Sequence, residues 1–340
     1  MPRVAVVFTG GTISMRHDPA AGGNVPVLGG AALLETAPGL DRIADLVPID
    51  RGLTPASHFT FDALFGIQRA VRDALADPSI DGAVVVQGTD TIEETAFFLD
   101  LLQAGPKPIV VTGAMRSASQ DCYDGPANLT AAVRIAASAE AARADIGVVV
   151  ALGGTIEAAD DVSKTHASAF DTFRSLNRGS LGRVDGERVV LDAVRGPRRH
   201  VVADGAAERV FLITATVATD GTPIRALHAA GADGFVVAAT GAGNTAPALL
   251  EAAEAALADG LPVVLVTRCP IGAAGTGYAF PGGGATWVRA GAIPAGHLTG
   301  PKARIALALG IGAGLDHEGL TLLLADPAPI HDSDRYWSAH

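Results

Sequence analysis

Gly82-Ala-Val-Val-Val-Gln-Gly-Thr-Asp-Thr-Ile-Glu-Glu-Thr-Ala-Phe-Phe-Leu-Asp-Leu-Leu-Gln103 is the stretch on which the fold turns. It opens with successive apolar residues, three of them valine, passes through a short polar break, and continues with apolar residues at helical spacing. The first part reads as a strand buried on both faces and the second as a helix laid against it. The same grammar recurs outward in both directions. Strand-like runs stand at residues 4–8, 108–112 and 146–152, and again at 210–214, 234–240 and 262–267. Helical patterns fill 61–77, 92–103, 126–140 and 247–259. Strand, helix, strand in this alternation predicts an α/β protein built on a doubly wound sheet. The pattern breaks at Gly196-Pro197 and Arg198-Arg199. We therefore expect a larger N-terminal domain over residues 1–195, a linker over 196–209 and a smaller C-terminal α/β domain over 210–340.

Composition narrows the function. Of 340 residues, 49% are hydrophobic and 18% charged, which supports a sizeable core and excludes disorder. Net charge is −11, and the densest basic cluster is Arg195-Gly-Pro-Arg198-Arg199-His200, too thin for a phosphate-binding face. No nucleic-acid partner is expected. Every long apolar run is interrupted within about a dozen residues, short of the ~20 needed to span a bilayer, so no membrane partner is expected either. The chain enters a strand pattern at once, without signal-peptide shape, which points to the cytoplasm. Cys122 and Cys269 make neither a disulfide framework nor a metal cluster, and His58, His166, His228, His297, His317 and His331 lack ligand spacing. No metal or other cofactor is expected.

In open parallel sheets, ligands lie beyond the carboxyl ends of the strands. Three strand ends combine glycine with small hydroxyl or charged residues. These are Thr9-Gly10-Gly11-Thr12-Ile13, Gln87-Gly88-Thr89-Asp90-Thr91 and Gly113-Ala114-Met115-Arg116. Thr91 and Glu94 have capping-box spacing. That cap does not account for Thr89 and Asp90, which we read as functional. The Gly-Gly-Thr turn has two readings. One is a tight turn needing glycine at positive φ; the other is a hydroxyl presented beside backbone N–H groups, as acyl transfer requires. Lys164 favours the second. Lysine stands at only 107, 164 and 302 among 25 basic residues, so a lysine in Asp161-Val-Ser-Lys164-Thr reads as an amine placed to activate a hydroxyl.

Together these residues carry a resemblance. Thr9-Gly-Gly-Thr12-Ile, Gln87-Gly-Thr89-Asp90-Thr-Ile-Glu-Glu-Thr-Ala, Lys107-Pro-Ile-Val-Val-Thr-Gly-Ala-Met-Arg116, Asp124-Gly-Pro-Ala-Asn128-Leu, Asp161-Val-Ser-Lys164-Thr, Gly241-Ala-Gly-Asn244 and Pro301-Lys-Ala-Arg304 stand in the order seen in the bacterial-type L-asparaginase/glutaminase family. The chain resembles that family from residue 4 to about 315. The resemblance implies a two-domain α/β fold and a cofactor-free hydrolysis of a side-chain amide to a carboxylate and ammonia. It implies a homotetramer, a dimer of tight dimers, with sites at the subunit interface. By position, Thr12 is the implied nucleophile, with Thr89, Asp90 and Lys164 as the second triad. Ser57 and Asp90 would hold the substrate's α-carboxylate and α-ammonium groups, helped by Gly11, Gly88 and His58. Ala114 would offer a backbone carbonyl, and Asn244 would reach in from a neighbouring subunit.

Three departures from the family's pattern are visible. Its loop tyrosine falls here at Val25, its partner-supplied acid has no counterpart in residues 269–294, and Gln87 replaces a common histidine. Tyr278, Tyr123 or His17 could fill the tyrosine's place as relay; otherwise the substrate is a different amide, glutamine or one lacking a free α-amine. A non-catalytic or ammonia-supplying subunit on the same fold is a further alternative. Two decoys accompany these motifs. Leu152-Gly-Gly-Thr155-Ile repeats the nucleophile's turn, and Gly241-Ala-Gly243-Asn-Thr-Ala246 has the outline of a dinucleotide fingerprint, with Arg268 after the next strand. The tail at 332–340, with Tyr336 and Trp337, either docks on a neighbour or frays.

Overall fold

The computed structural model describes residues 1–327; the tail at 332–340 lies outside them. The chain forms two compact units, one of Met1–Arg195 and one from Gly196 onward.

The first unit is built on an eight-stranded sheet. Its strands in chain order are β1 (Arg3–Phe8), β4 (Asp45–Asp50), β5 (Gly82–Val86), β6 (Ile109–Thr112), β7 (Val148–Leu152), β8 (Thr155–Ala158), β11 (Gly182–Asp185) and β12 (Arg188–Leu191). Between these lie two small hairpins, β2 (Met15–Asp18) with β3 (Gly23–Pro26), and β9 (Val162–Lys164) with β10 (Phe173–Ser175). Spatial order in the large sheet is β12-β11-β8-β7-β6-β5-β1-β4. The run from β4 to β7 is parallel, as the unbroken valine runs predict, and the last three strands add an antiparallel edge. The sheet is therefore mixed. Val4, Val6, Phe8, Val84 and Val86 pack on one face with Leu129, Ala132 and Val133, while the alternate residues Ala5, Val7, Ala83 and Val85 are equally inaccessible on the other.

Helices α1 (Gly30–Glu35), α2 (Phe61–Leu75), α3 (Ile92–Leu102), α4 (Gly125–Ala136) and α5 (Ala139–Arg143) make the crossovers. The expected single helix over 126–140 is two, because Ser138 leaves helical geometry and caps α5 through its hydroxyl on Ala141 N–H. The segment that holds Val25, where the family's loop tyrosine falls, is the β2–β3 hairpin. Thr91 stands at the N-cap of α3, as its spacing predicts, but its hydroxyl makes no cap bond and donates instead to the Ala56 carbonyl at 3.2 Å.

Order and register place the site. The chain runs from β1 to β4 on one side and returns to β5 on the other, so the winding reverses between β1 and β5. That is where an α/β sheet opens a crevice at its carboxyl edge. Phe8 is level with Val86 and with Asp50, and Val86 with Thr112, so the loops after all four strands start at one height.

The same unit holds a buried ionic cluster. Arg195 lies between Asp100 (2.6 Å) and Asp160 (3.2 Å), with side chains only 3%, 3% and 6% exposed. Burial works against its charge, but the two carboxylates prevail and hold its pKa above the usual arginine value. Its other amino group donates to the Ile146 and Val148 carbonyls. Removing Arg195 takes the guanidinium from buried Asp100, while Asp160 keeps its pair with the half-exposed Arg178 at 2.5 Å, so the cost falls mainly on Asp100. Arg195→Leu is accordingly expected to lower unfolding free energy by about 3–5 kcal/mol in urea titration; a loss under about 1 kcal/mol would mean that solvent reaches the carboxylates.

The second unit carries the parallel sheet β13 (Val210–Thr214), β14 (Gly234–Ala239), β15 (Val263–Thr267), β16 (Ile293–Pro294). Its core gathers Phe235, Val237, Leu249, Leu265 and the fully buried Trp287. No helix among the described residues is long and apolar enough to cross a membrane.

Candidate active site

Gly10 and Gly11 follow β1 at φ of 102° and 93°, in the left-handed region that favours glycine. Gly11 has a second reason to lack a side chain, since a Cβ there would lie 2.1 Å from the Gly88 nitrogen. The turns after β1 and β5 thus touch backbone to backbone. Thr12 then opens a single 3-10 turn, Thr12–Ser14, closed by Ser14 N–H on the Gly11 carbonyl. Thr12 is half-buried, and its hydroxyl bonds to no other described residue.

The other predicted residues of this unit are drawn to the same edge by identifiable contacts. Gly88 sits against Ala56, where a Cβ would meet the alanine methyl at 3.0 Å, and the Thr91 hydroxyl binds the Ala56 carbonyl. Together they hold Ser57 and His58, both exposed, beside the β5 turn. Gly113 faces Thr89 so closely that a Cβ would stand 3.3 Å from the threonine methyl. The following Ala114 is fully buried in a loop fixed by Asp124, whose carboxylate accepts from Met115 N–H (3.0 Å) and Arg116 N–H (2.9 Å). Asn128 completes that anchorage, donating to the Gly113 carbonyl and accepting from Gly153 N–H.

Lys164 ends β9 and is mostly buried, its side chain 14% exposed. Its Nζ donates to Thr89 Oγ1 at 3.0 Å and to Asp90 Oδ1 at 2.9 Å. Thr89 is buried, while the Asp90 side chain is 70% exposed, so the set runs from a sheltered hydroxyl to a carboxylate facing solvent. Strand β9 is held at both ends. Asp161 accepts from Asn177 and from Arg178 N–H, and Thr165 N–H donates to the Thr172 carbonyl. An amine pinned this way beside a hydroxyl is suited to passing a proton.

The three relay substitutes are placed differently. Tyr123 donates to the Ile13 carbonyl at 2.7 Å, and burial pushes its phenol up to about 12. His17 is exposed on β2, with its backbone N–H on Ser119 Oγ. Tyr278 belongs to the second unit, where its exposed ring lies 5.8 Å from Phe280. Asn244 is also in the second unit, in a turn closed by reciprocal bonds with Thr240.

The decoys separate on geometry. Gly153 and Gly154 both have positive φ and join β7 to β8 as a two-residue hairpin turn, and the Thr155 hydroxyl donates back to the Leu152 carbonyl. Arg268, the cation of the dinucleotide reading, spends its guanidinium on the Ala215 carbonyl. Sequence reasoning misses the Tyr123 contact and the Asp124–Asn128 anchorage. The anchorage lies within the quoted Asp124–Leu motif, whereas nothing local signals a bond between positions 13 and 123.

Comparison with known proteins bears on the whole chain. Residues 3–195 match the family model described as Asparaginase, N-terminal, and residues 209–323 match the Glutaminase/Asparaginase C-terminal domain. A probable L-asparaginase of Deinococcus radiodurans is 36% identical over 327 residues, covering 94% of this chain and 96% of its own. L-asparaginase 2 of Escherichia coli is 33% identical over 283 residues, 80% of each chain. Among solved structures, a probable cytoplasmic L-asparaginase from Campylobacter jejuni is similar at a TM-score of 0.84 and 27% identity, over 95% of this chain and 99% of that one.

Proposed function

The chain belongs to the asparaginase family, and on that premise we propose that Thr12 is its nucleophile, with Thr89, Asp90 and Lys164 as the proton-handling set. The protein is an amidohydrolase that splits the side-chain amide of L-asparagine into aspartate and ammonia. The observation that carries the residue assignment is the Lys164 amine within hydrogen-bond reach of both Thr89 and Asp90, on the loop that touches the Thr12 turn.

In this reading the Thr12 oxygen attacks the amide carbon, and N–H groups of the Gly11-Thr12 turn receive the negative charge that develops on the carbonyl oxygen. The C–N bond breaks, nitrogen leaves protonated as ammonia, and the acyl group stays on Thr12 as an ester. Water then attacks the ester, aspartate departs, and Thr12 regains its proton. Thr89 and Lys164 carry protons between these steps. Asp90 shares Oδ1 with Lys164 and keeps Oδ2 for the substrate's α-ammonium, a charge-assisted contact. Ser57 takes the α-carboxylate with help from Gly88 and His58, and the Ala114 carbonyl accepts from the amide nitrogen. We place the enzyme in the cytoplasm as a homotetramer, with Asn244 supplied by a neighbouring subunit. Likeness to the Campylobacter protein supports the compartment, against a relative from Haemophilus influenzae named as periplasmic.

The test is ammonia release from L-asparagine, L-glutamine, D-asparagine and amides with a blocked or missing α-amine. L-Asparagine is expected to be the fastest. Activity confined to a blocked amide would reassign the substrate, in keeping with the acid-free stretch at 269–294. Silence on every amide would favour a non-catalytic subunit.

A further inference from the structure

We infer that Tyr123 is a positioning residue that holds the Thr12 turn in register with the Ala114 loop. The inference rests on Thr12 being the nucleophile, as proposed above.

The Thr12–Ser14 turn needs an outside restraint. It is a single turn closed by two backbone bonds, Ser14 N–H on the Gly11 carbonyl and Met15 N–H on the Thr12 carbonyl, and the two residues before it are glycines with positive φ, whose backbones are the least restricted of any. Val27 N–H and Leu28 N–H hold the far end of the turn at the Ser14 carbonyl, and the Tyr123 hydroxyl restrains the end beside the nucleophile by donating to the carbonyl of Ile13, the residue immediately after Thr12. The phenol is itself firmly seated. A Cβ at position 125 would lie 2.4 Å from the ring, so the seat exists because that residue is glycine. The next residue, Asp124, binds Met115 N–H and Arg116 N–H and accepts from Asn128. One short segment, 123–128, therefore grips both the turn that carries the hydroxyl and the loop that offers the Ala114 carbonyl.

The segment just before it grips the hairpin that follows the turn. Ala118 N–H donates to the Met15 carbonyl, Ser119 Oγ receives His17 N–H, and the Ser117 hydroxyl binds Asn24. Tyr123 thus closes a row of contacts that begins on the β2–β3 hairpin and ends beside Thr12. A relay role is a different function with a different signature. The Tyr123 proton is engaged on a carbonyl and the group is held protonated far above neutral pH, so it acts on the turn as a donor.

Two variants separate these roles. Tyr123→Phe removes the bond and keeps the ring, while Gly125→Ala keeps the hydroxyl and displaces the ring. Both are expected to lower kcat for L-asparagine about tenfold, with KM within about twofold of wild type and both limbs of the pH–rate profile unmoved. In both, amide hydrogen exchange over residues 11–15 is expected to quicken about tenfold relative to the strands. Unchanged kcat and exchange would overturn the inference, as would a shifted pH limb, which marks a relay, or a rise in KM alone, which marks substrate contact. Should wild type hydrolyse no amide, the functional reading fails by itself, and the exchange measurement alone decides whether Tyr123 holds the turn.

Discussion

Thr12→Ala is expected to cut kcat for ammonia release at least about a thousandfold while leaving the thermal midpoint within a few degrees of wild type. The two halves of that result have separate causes. The rate falls because the other hydroxyl of that turn, on Ser14, is fully buried, so Thr12 carries the accessible hydroxyl of the turn that the Gly11–Gly88 contact presses against the β5 loop. The fold persists because the Thr12 hydroxyl has no partner among the described residues, and a half-buried position at the head of a short turn accepts alanine with little loss. Steady-state ammonia release beside a melting curve checks both at once. Full activity in the alanine form would move the nucleophile elsewhere, and Thr155, although tied to the Leu152 carbonyl in a hairpin turn, would be next to test.

Lys164→Met is expected to cost at least about a hundredfold in kcat, the range lost when a positioned acid or base is removed. Methionine keeps an unbranched apolar stem of comparable length, so the mostly buried site loses charge more than volume. Stability should change by less than about 1 kcal/mol, because the carboxylate released, Asp90, is 70% exposed and water takes the place of the ammonium. Arg195 makes the contrast: its two carboxylates are buried, so there the cost falls on folding. A Lys164→Met enzyme within about threefold of wild type would remove the amine from the reaction.

What is legible in the sequence follows the physics of burial. The strands at 82–86 and 210–214 have the bounds their sequence predicts, because each is a five-residue apolar run rich in β-branched or aromatic residues, too short for a buried helix and bounded by polar breaks. The last two strands of the eight-stranded sheet, Gly182–Asp185 and Arg188–Leu191, the second of them at its edge, escape such a reading. They are short and half-exposed, and their patterns, Gly-Arg-Val-Asp and Arg-Val-Val-Leu, are decided by the neighbour they pair with. Thr91 misleads because capping spacing describes an opportunity, and its hydroxyl finds the Ala56 carbonyl across the crevice. Of the site, the loops after β1, β5 and β6 are visible through their glycines and hydroxyls, and Lys164 through the scarcity of its kind. Tyr123 is legible only as a candidate relay, since its contact with Ile13, across a separation of 110 positions, is a product of the fold alone.

The level register of β1, β4, β5 and β6 has a consequence for how this protein can vary in length. Each strand residue advances the chain by roughly 3.3 Å and reverses the side on which the next one points. Deleting one residue from Arg3–Phe8 would pull Thr12 away from Gly88 and turn the following residues to the opposite face, a change no side-chain replacement could repair. The tip of the β2–β3 hairpin lies under the opposite rule. Residues 19–22 lie beyond the last ladder pair, Asp18 with Gly23, so they can lengthen or shorten without moving a strand. Insertions and deletions among descendants of this chain should collect at that tip and be purged from the four strands, whatever substitutions the strands accept.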